Sequence, residues 1–267
     1  MAINTDGEKN SARSAIILAA AVFVLAIFVV EFGLQTLVWV STKRWNGADP
    51  WLADVPQAIP AAEGIATLPD SGAGKKDTHA MLKAYGYEFI APWPGKNKQT
   101  AGLTYTQFAF DSGQTIVFFD PEAQLDTMSE LKNAKTPEYQ QFENVFGDEA
   151  PDTNFALYRT VYSASPAQVS PFMHREDAEQ MNVLLLWKLS FGFDMQPGIH
   201  SFSLGKNSGF EFGEPASGRP VALRVFDDKD KQFRFIFTTA AGSSGKFTQQ
   251  DISLVAQSLQ IVPLLER

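Results

Sequence analysis

Few side chains in this sequence are spaced for chemistry, and each candidate set fails a specific requirement. Gly242-Ser-Ser-Gly245-Lys246 lies between a strand-like and a helix-like stretch, where a phosphate loop would lie. That motif needs Gly-x4-Gly-Lys followed by Ser or Thr, but here Ala240 stands at the first position and Phe247 follows the lysine. A plain capping loop is the default, with a weak anion site at Lys246 as the alternative, since helix N-terminal amides favour negative charge. His174 and Asp177 share a helical face, but a metal needs three or four ligands, and neither His79 nor His200 can be placed beside them. Asp227, Asp228 and Asp230 lack the glycine and distal glutamate of a calcium loop and read as a solvated hairpin tip. No Gly-x-Ser-x-Gly elbow is present, so a hydrolase nucleophile has no sequence signature. No catalytic, cofactor or metal residue is assigned.

Composition narrows the classes further. The 267 residues contain no cysteine, which excludes disulfides, thiol nucleophiles and cysteine-based metal sites. A formal net charge of −8 argues against a nucleic-acid partner, which would need clustered positive charge.

The most informative segment is apolar. Residues 15–30, AIILAAAVFVLAIFVV, are unbroken, and the pattern continues with polar interruptions to Val40. A helix over 14–40 would be about 40 Å long, against about 30 Å of hydrocarbon. An uncleaved single-pass anchor is expected after a tail at 1–13. A cleaved signal peptide is the competing reading, but the run is long and no small-x-small site closes it; a buried core helix is the third, less favoured because the run precedes a linker and meets no obvious partner segment. Lys9 and Arg13 on one side balance Lys43 and Arg44 on the other, so flanking charge leaves orientation open. The short tail favours an N-inside anchor, which would place the rest of the chain outside the cytoplasm, at a cell membrane. Glu31 is the unusual residue here, because an ionisable group in a spanning helix is a functional candidate. Gln35 falls four residues on, on the same face. The pair reads either as an interfacial feature or as a polar stripe toward a partner helix.

Residues 41–76 are rich in Ala, Gly and Pro and read as a tether. From 77 to 267 a single α+β domain is expected, an antiparallel sheet flanked by helices. Tyr87, Phe89 and Ala91 alternate, as do Leu103, Tyr105, Gln107 and Ala109, and Thr115 to Phe119 follows a turn at Asp111-Ser112-Gly113. A helical insertion over about 120–192 is announced by Asp120-Pro121, Thr136-Pro137, Ser165-Pro166 and Ser170-Pro171, each an N-cap residue before proline. Leu125, Met128 and Leu131 recur at helical spacing, as do Tyr139, Phe142, Val145 and Phe146, then Leu157, Tyr158, Val161 and Tyr162. The stretch 174–191 starts charged and ends apolar. Strands return at 201–204 and 209–212, and 221–226 and 232–237 form the clearest hairpin. Thr248-Gln-Gln-Asp251 resembles a capping box, opening a last helix with Ile252, Val255, Leu259 and Ile261 on one face. Pro92-Trp93-Pro94 escapes the periodicity, so Trp93 is a candidate rigid contact point if exposed, against the favoured alternative of a tryptophan folded over a sheet edge.

Gly86-Tyr-Glu-Phe-Ile-Ala-Pro-Trp93 resembles the opening strand of PsbP-type extrinsic photosystem proteins and their Ran-binding relatives. Asp251-Ile-Ser-Leu-Val-Ala-Gln-Ser258-Leu-Gln-Ile is similar to their closing helix. The two pieces cover fewer than 25 residues, and the helical stretch 120–192 departs from the pattern as a large insertion. The PsbP-like resemblance implies an antiparallel sheet with flanking helices and a role in binding or assembly; no functional residue carries over. The expected function is a membrane-anchored, non-catalytic binding or accessory subunit, with the lipid bilayer and a membrane protein as partners. A membrane-tethered hydrolase is the alternative, and a sensor signalling through its helix is a third.

Overall fold

Every strand pairing among the described residues is antiparallel. The computed structural model describes residues 21–23, 26, 29, 32–41, 79–124, 137–191, 199–240 and 246–262. Residues 32–41 are helical and are called α1. There follow β1 (Ala80–Ala84), β2 (Tyr87–Ala91), β3 (Lys96–Ala101), β4 (Tyr105–Phe110) and β5 (Gln114–Phe119). Three helices come next: α2 (Pro137–Phe146), α3 (Asn154–Ser163) and α4 (Arg175–Phe191). The chain then returns to β6 (Ile199–Leu204), β7 (Asn207–Phe212), β8 (Val221–Phe226) and β9 (Gln232–Thr239), and closes with α5 (Gln249–Ser258) and β10 (Gln260–Ile261).

The strands form a seven-stranded sheet in the order β3-β4-β5-β9-β8-β7-β6 and a small sheet in the order β1-β2-β10. Two meanders thus meet where β5 pairs with β9. The helical stretch between β5 and β6 joins the end of one meander to the start of the other. The fold is therefore α+β, with antiparallel sheets flanked by helices.

Alternation along the strands feeds two apolar clusters. Phe108 and Phe110 of β4, Ile116 and Phe118 of β5, and Phe233, Phe235 and Phe237 of β9 enter the first. Leu82 and Phe89 of the small sheet and Ile252 and Val255 of α5 close it from the other side. Phe118 stacks on Phe235 at 4.7 Å, and Phe89 stands edge-on to both. The second cluster takes Phe210 and Phe212 of β7 and Phe226 of β8 against Phe142 of α2, Tyr158 and Tyr162 of α3, and Trp187 of α4. The helical insertion is thus a second layer with its own core, as an apolar sheet face demands. Backbones meet closely at Gly209, where an added Cβ would lie 2.1 Å from the Arg224 carbonyl oxygen and 2.7 Å from the Phe202 ring.

The capping box at Thr248 forms and opens a full helix. Thr248 Oγ1 accepts from the Asp251 amide at 3.3 Å, and Asp251 Oδ2 accepts from the Thr248 amide at 2.7 Å. Ser165 and Gln168 form a second box, but around a single 3-10 turn, Pro166–Gln168. Asp120-Pro121 likewise opens only a 3-10 turn, and Ser170-Pro171 makes a turn in which Ser170 Oγ accepts from the Phe172 amide. Leu125, Met128, Leu131 and Thr136 lie outside the described residues.

Two expectations are corrected, one strand forms that the sequence pattern does not announce, and one pair of alternatives is decided. In β4 the core face is Thr106, Phe108 and Phe110, whereas Tyr105, Gln107 and Ala109 face out and Leu103 is 99% exposed. Two alternating sets were available, and the larger aromatic payload won. β3, sequence KNKQTA, has no apolar alternation and forms as an edge strand on β4. Ile261 is exposed, because the chain has left α5 and entered β10. Trp93 is buried in the first cluster, edge-on to Phe110 at 5.2 Å. Of its two readings, the tryptophan folded over the sheet is the one that forms.

Candidate functional site

The end of the apolar N-terminal stretch is a packed part of the domain. In α1, Val38 is buried in the second cluster, and Leu34 and Trp39 pack against that cluster half-buried. Gln35, on the same side of the helix, is only 2% exposed. The Phe32 ring stands edge-on to Phe172, with centroids 6.4 Å apart. Gln35, a candidate contact for a partner helix, is thus buried within its own chain. Glu31, the other member of that stripe, lies outside the described residues.

On the opposite side of this helical segment, apolar side chains are exposed. Val29, Leu37 and Val40 are exposed, as are Val22 and Phe23 further back. A concavity of about 600 Å³ runs along this side, lined by Val29, Phe32, Gly33, Thr36, Leu37 and Val40. Single exposed apolar residues are ordinary, but a contiguous apolar side marks a surface meant for another apolar surrounding. No helix among the described residues is long and apolar enough to cross a membrane; most of 14–31 and residues 42–78 lie outside the described residues, so that only residue 41 of the expected tether is described, as the end of α1.

The most perturbed titratable group is on the other side of the sheet. Glu211 of β7 is 1% exposed, and its Oε2 accepts from Gln249 Nε2 at 2.7 Å, at the start of α5. Its Oε1 has no hydrogen-bond partner among the described residues. Burial pushes its pKa up to about 7, with the Gln249 bond opposing. Its register neighbours are His200 of β6 and Leu223 of β8. Phe210 and Phe212 alternate to the helical layer, so the strand period delivers Glu211 to the α5 side. Nothing in the local sequence distinguishes this glutamate from a solvated one; only the position of α5 buries it.

The remaining candidates separate in space. Lys246 is exposed, and its carbonyl accepts from Gln114 Nε2 at 3.0 Å; the glycine loop at 241–245 lies outside the described residues. The Asp227–Lys231 tip is more than a solvated turn. Asp230, at φ 62°, accepts from the Asn154 amide at 2.5 Å, from Asn154 Nδ2 at 3.0 Å and from the Phe155 amide at 2.9 Å. Its carboxylate therefore caps α3, where free amides and the helix dipole favour negative charge. Asp227 closes the turn by accepting from the Lys229 and Lys231 amides. Among the described residues no group of three or more His, Asp or Glu could hold a metal.

A groove of about 500 Å³ lies between α3 and α4, with Arg159, Thr160, Ser163 and Gln168 as its polar lining. Below it the fully buried Lys188 ammonium donates to the Ala164 carbonyl at 2.6 Å, tying α4 to the end of α3. No family model matches the chain, and neither a curated protein nor a solved structure matches it.

Proposed function

We propose that this chain is a single-pass membrane protein whose α+β domain acts, without catalysis, as a binding or accessory subunit of a membrane protein assembly. The observation that carries the reading is the apolar run that leads into α1. One side of α1 is buried on the helical layer, and the run before it keeps Val22, Phe23 and Val29 exposed within sixteen consecutive apolar residues. Water penalises such exposure by about 25 cal/mol per Å², whereas a bilayer does not. The PsbP-like resemblance, whose members serve as binding or assembly modules, points the same way. The groove between α3 and α4 does not favour a tethered hydrolase, since neither acid nor imidazole is among its described lining. We place the domain outside the cytoplasm, with the lipid bilayer and a membrane protein as partners.

Alkaline carbonate extraction followed by blue native electrophoresis of a mild-detergent extract tests both halves of the proposal. The full chain is expected in the membrane pellet and then in one discrete band above monomer mass, with a second polypeptide in fixed ratio. Release into the carbonate supernatant refutes the anchor, and a monomer band refutes the subunit role.

A further inference from the structure

Phe172 is 73% exposed, the most exposed aromatic ring among the described residues, and its position is built rather than loose. The turn that carries it is closed by Ser170, whose Oγ accepts from the Phe172 amide at 3.2 Å and whose carbonyl accepts from the Met173 amide at 3.3 Å. The turn divides two adjacent apolar side chains: Met173 packs against the second cluster, while Phe172 points out and meets the edge of Phe32. Phe32 follows the apolar run 15–30 almost directly. Those sixteen residues span about 24 Å as helix, against about 30 Å of hydrocarbon, so Phe32 would stand near the headgroup boundary. A ring 6.4 Å away shares that level.

We propose that the Phe172 turn rests in the bilayer interface, so that the helical layer faces the lipid and the domain is held against the membrane. The proposal rests on the membrane reading above. The occupant is the apolar boundary of the lipid rather than an anionic headgroup. The first turns of α4 carry Glu176, Asp177 and Glu179 against Arg175, and Arg175 Nε is already engaged by Glu179 at 3.0 Å. That charge balance repels an anionic surface and leaves the aromatic ring as the contact. The small sheet and α5 cover the other face of the large sheet, so the exposed Met81 of β1 points away from the membrane in this arrangement.

The chain contains no cysteine, so single labels are unambiguous. Full-length Phe172→Cys, Phe23→Cys and Met81→Cys, each carrying an environment-sensitive fluorophore, are reconstituted in phosphatidylcholine nanodiscs with and without nitroxide lipids. All three positions are exposed, so replacement leaves both clusters intact. The label at 172 is expected to shift to the blue and to lose about half its emission to a shallow nitroxide, as interfacial groups sit about 5–10 Å deep. The label at 23 is expected to respond to a deep nitroxide, and the label at 81 to neither. Quenching at 23 with 172 behaving like 81 overturns the docked orientation and leaves the anchor standing. Quenching at none of the three overturns both readings.

Discussion

Replacing Glu211 by glutamine should make the protein more stable above neutral pH and leave it unchanged in acid. The side chain is 1% exposed, with one carboxylate oxygen bonded to Gln249 and the other without a hydrogen-bond partner among the described residues. Burial raises its pKa from the ordinary 4.5 to about 7. The folded state therefore holds this proton more tightly than the unfolded chain does. Its contribution is fully present below pH 4.5 and is lost as pH rises through 7. Each pH unit between those two values is worth about 1.4 kcal/mol, so the ionised form carries a penalty of about 3 kcal/mol above pH 8. Glutamine has the same shape, keeps an oxygen for Gln249 and never ionises. Denaturant melts of the full chain in micelles should superimpose at pH 4.5. At pH 8.5 the variant should gain about 3 kcal/mol, or roughly 6–12 °C in melting midpoint for a chain of this size. Parallel pH dependence in both proteins, or a variant less stable at pH 8.5, would refute the reasoning, because the penalty would then lie elsewhere.

Asp230→Ala removes three hydrogen bonds from the start of α3 and should cost about 2–3 kcal/mol in an equilibrium melt. Asp228→Ala, on the solvated side of the same tip, should stay within about 0.5 kcal/mol, and calcium should leave its midpoint unmoved. Gly209→Ala drives a methyl group into the Arg224 carbonyl across the β7–β8 pair, and a loss of about 3 kcal/mol is expected from thermal unfolding.

Sequence legibility followed the range of the interaction. The hairpin of β8 and β9, the helix over Leu157–Tyr162 and the Thr248 capping box are specified by neighbours a few residues apart, and all three form. β3 was invisible because it is held by its pairing with β4 rather than by its own polar side chains. The inversion of β4 has the same origin, since either alternating set satisfies a local rule and only the facing Phe89 selects Phe108. The functional candidates suffered most. Glu211 is made unusual by α5, which follows it by about forty positions, and Asp230 by α3, which precedes it by more than seventy. No spacing within either segment encodes those contacts. Trp93 and Gln35 show the opposite case, since each is conspicuous in sequence yet buried in its own chain.

On the proposed reading, the docking of α1 changes what the Ala/Gly/Pro-rich stretch after it is for. A domain joined to its anchor only by residues 42–78 would range widely over the membrane. Here the same domain also grips α1 through Val38, Leu34 and Trp39 and meets it again through Phe172. A covalent link of that length sets an effective concentration of about the millimolar range, so the grip needs to supply only about 4 kcal/mol to keep the domain docked. Burial of one aliphatic side chain contributes about 1.5–3 kcal/mol, and the half-buried Leu34 and Trp39 cover the remainder. A grip of that strength, formed beside the membrane, fixes which face of the domain a membrane partner meets. The helical layer is turned toward the lipid, and the outer surface of the small sheet, with exposed Met81, is left to the aqueous side.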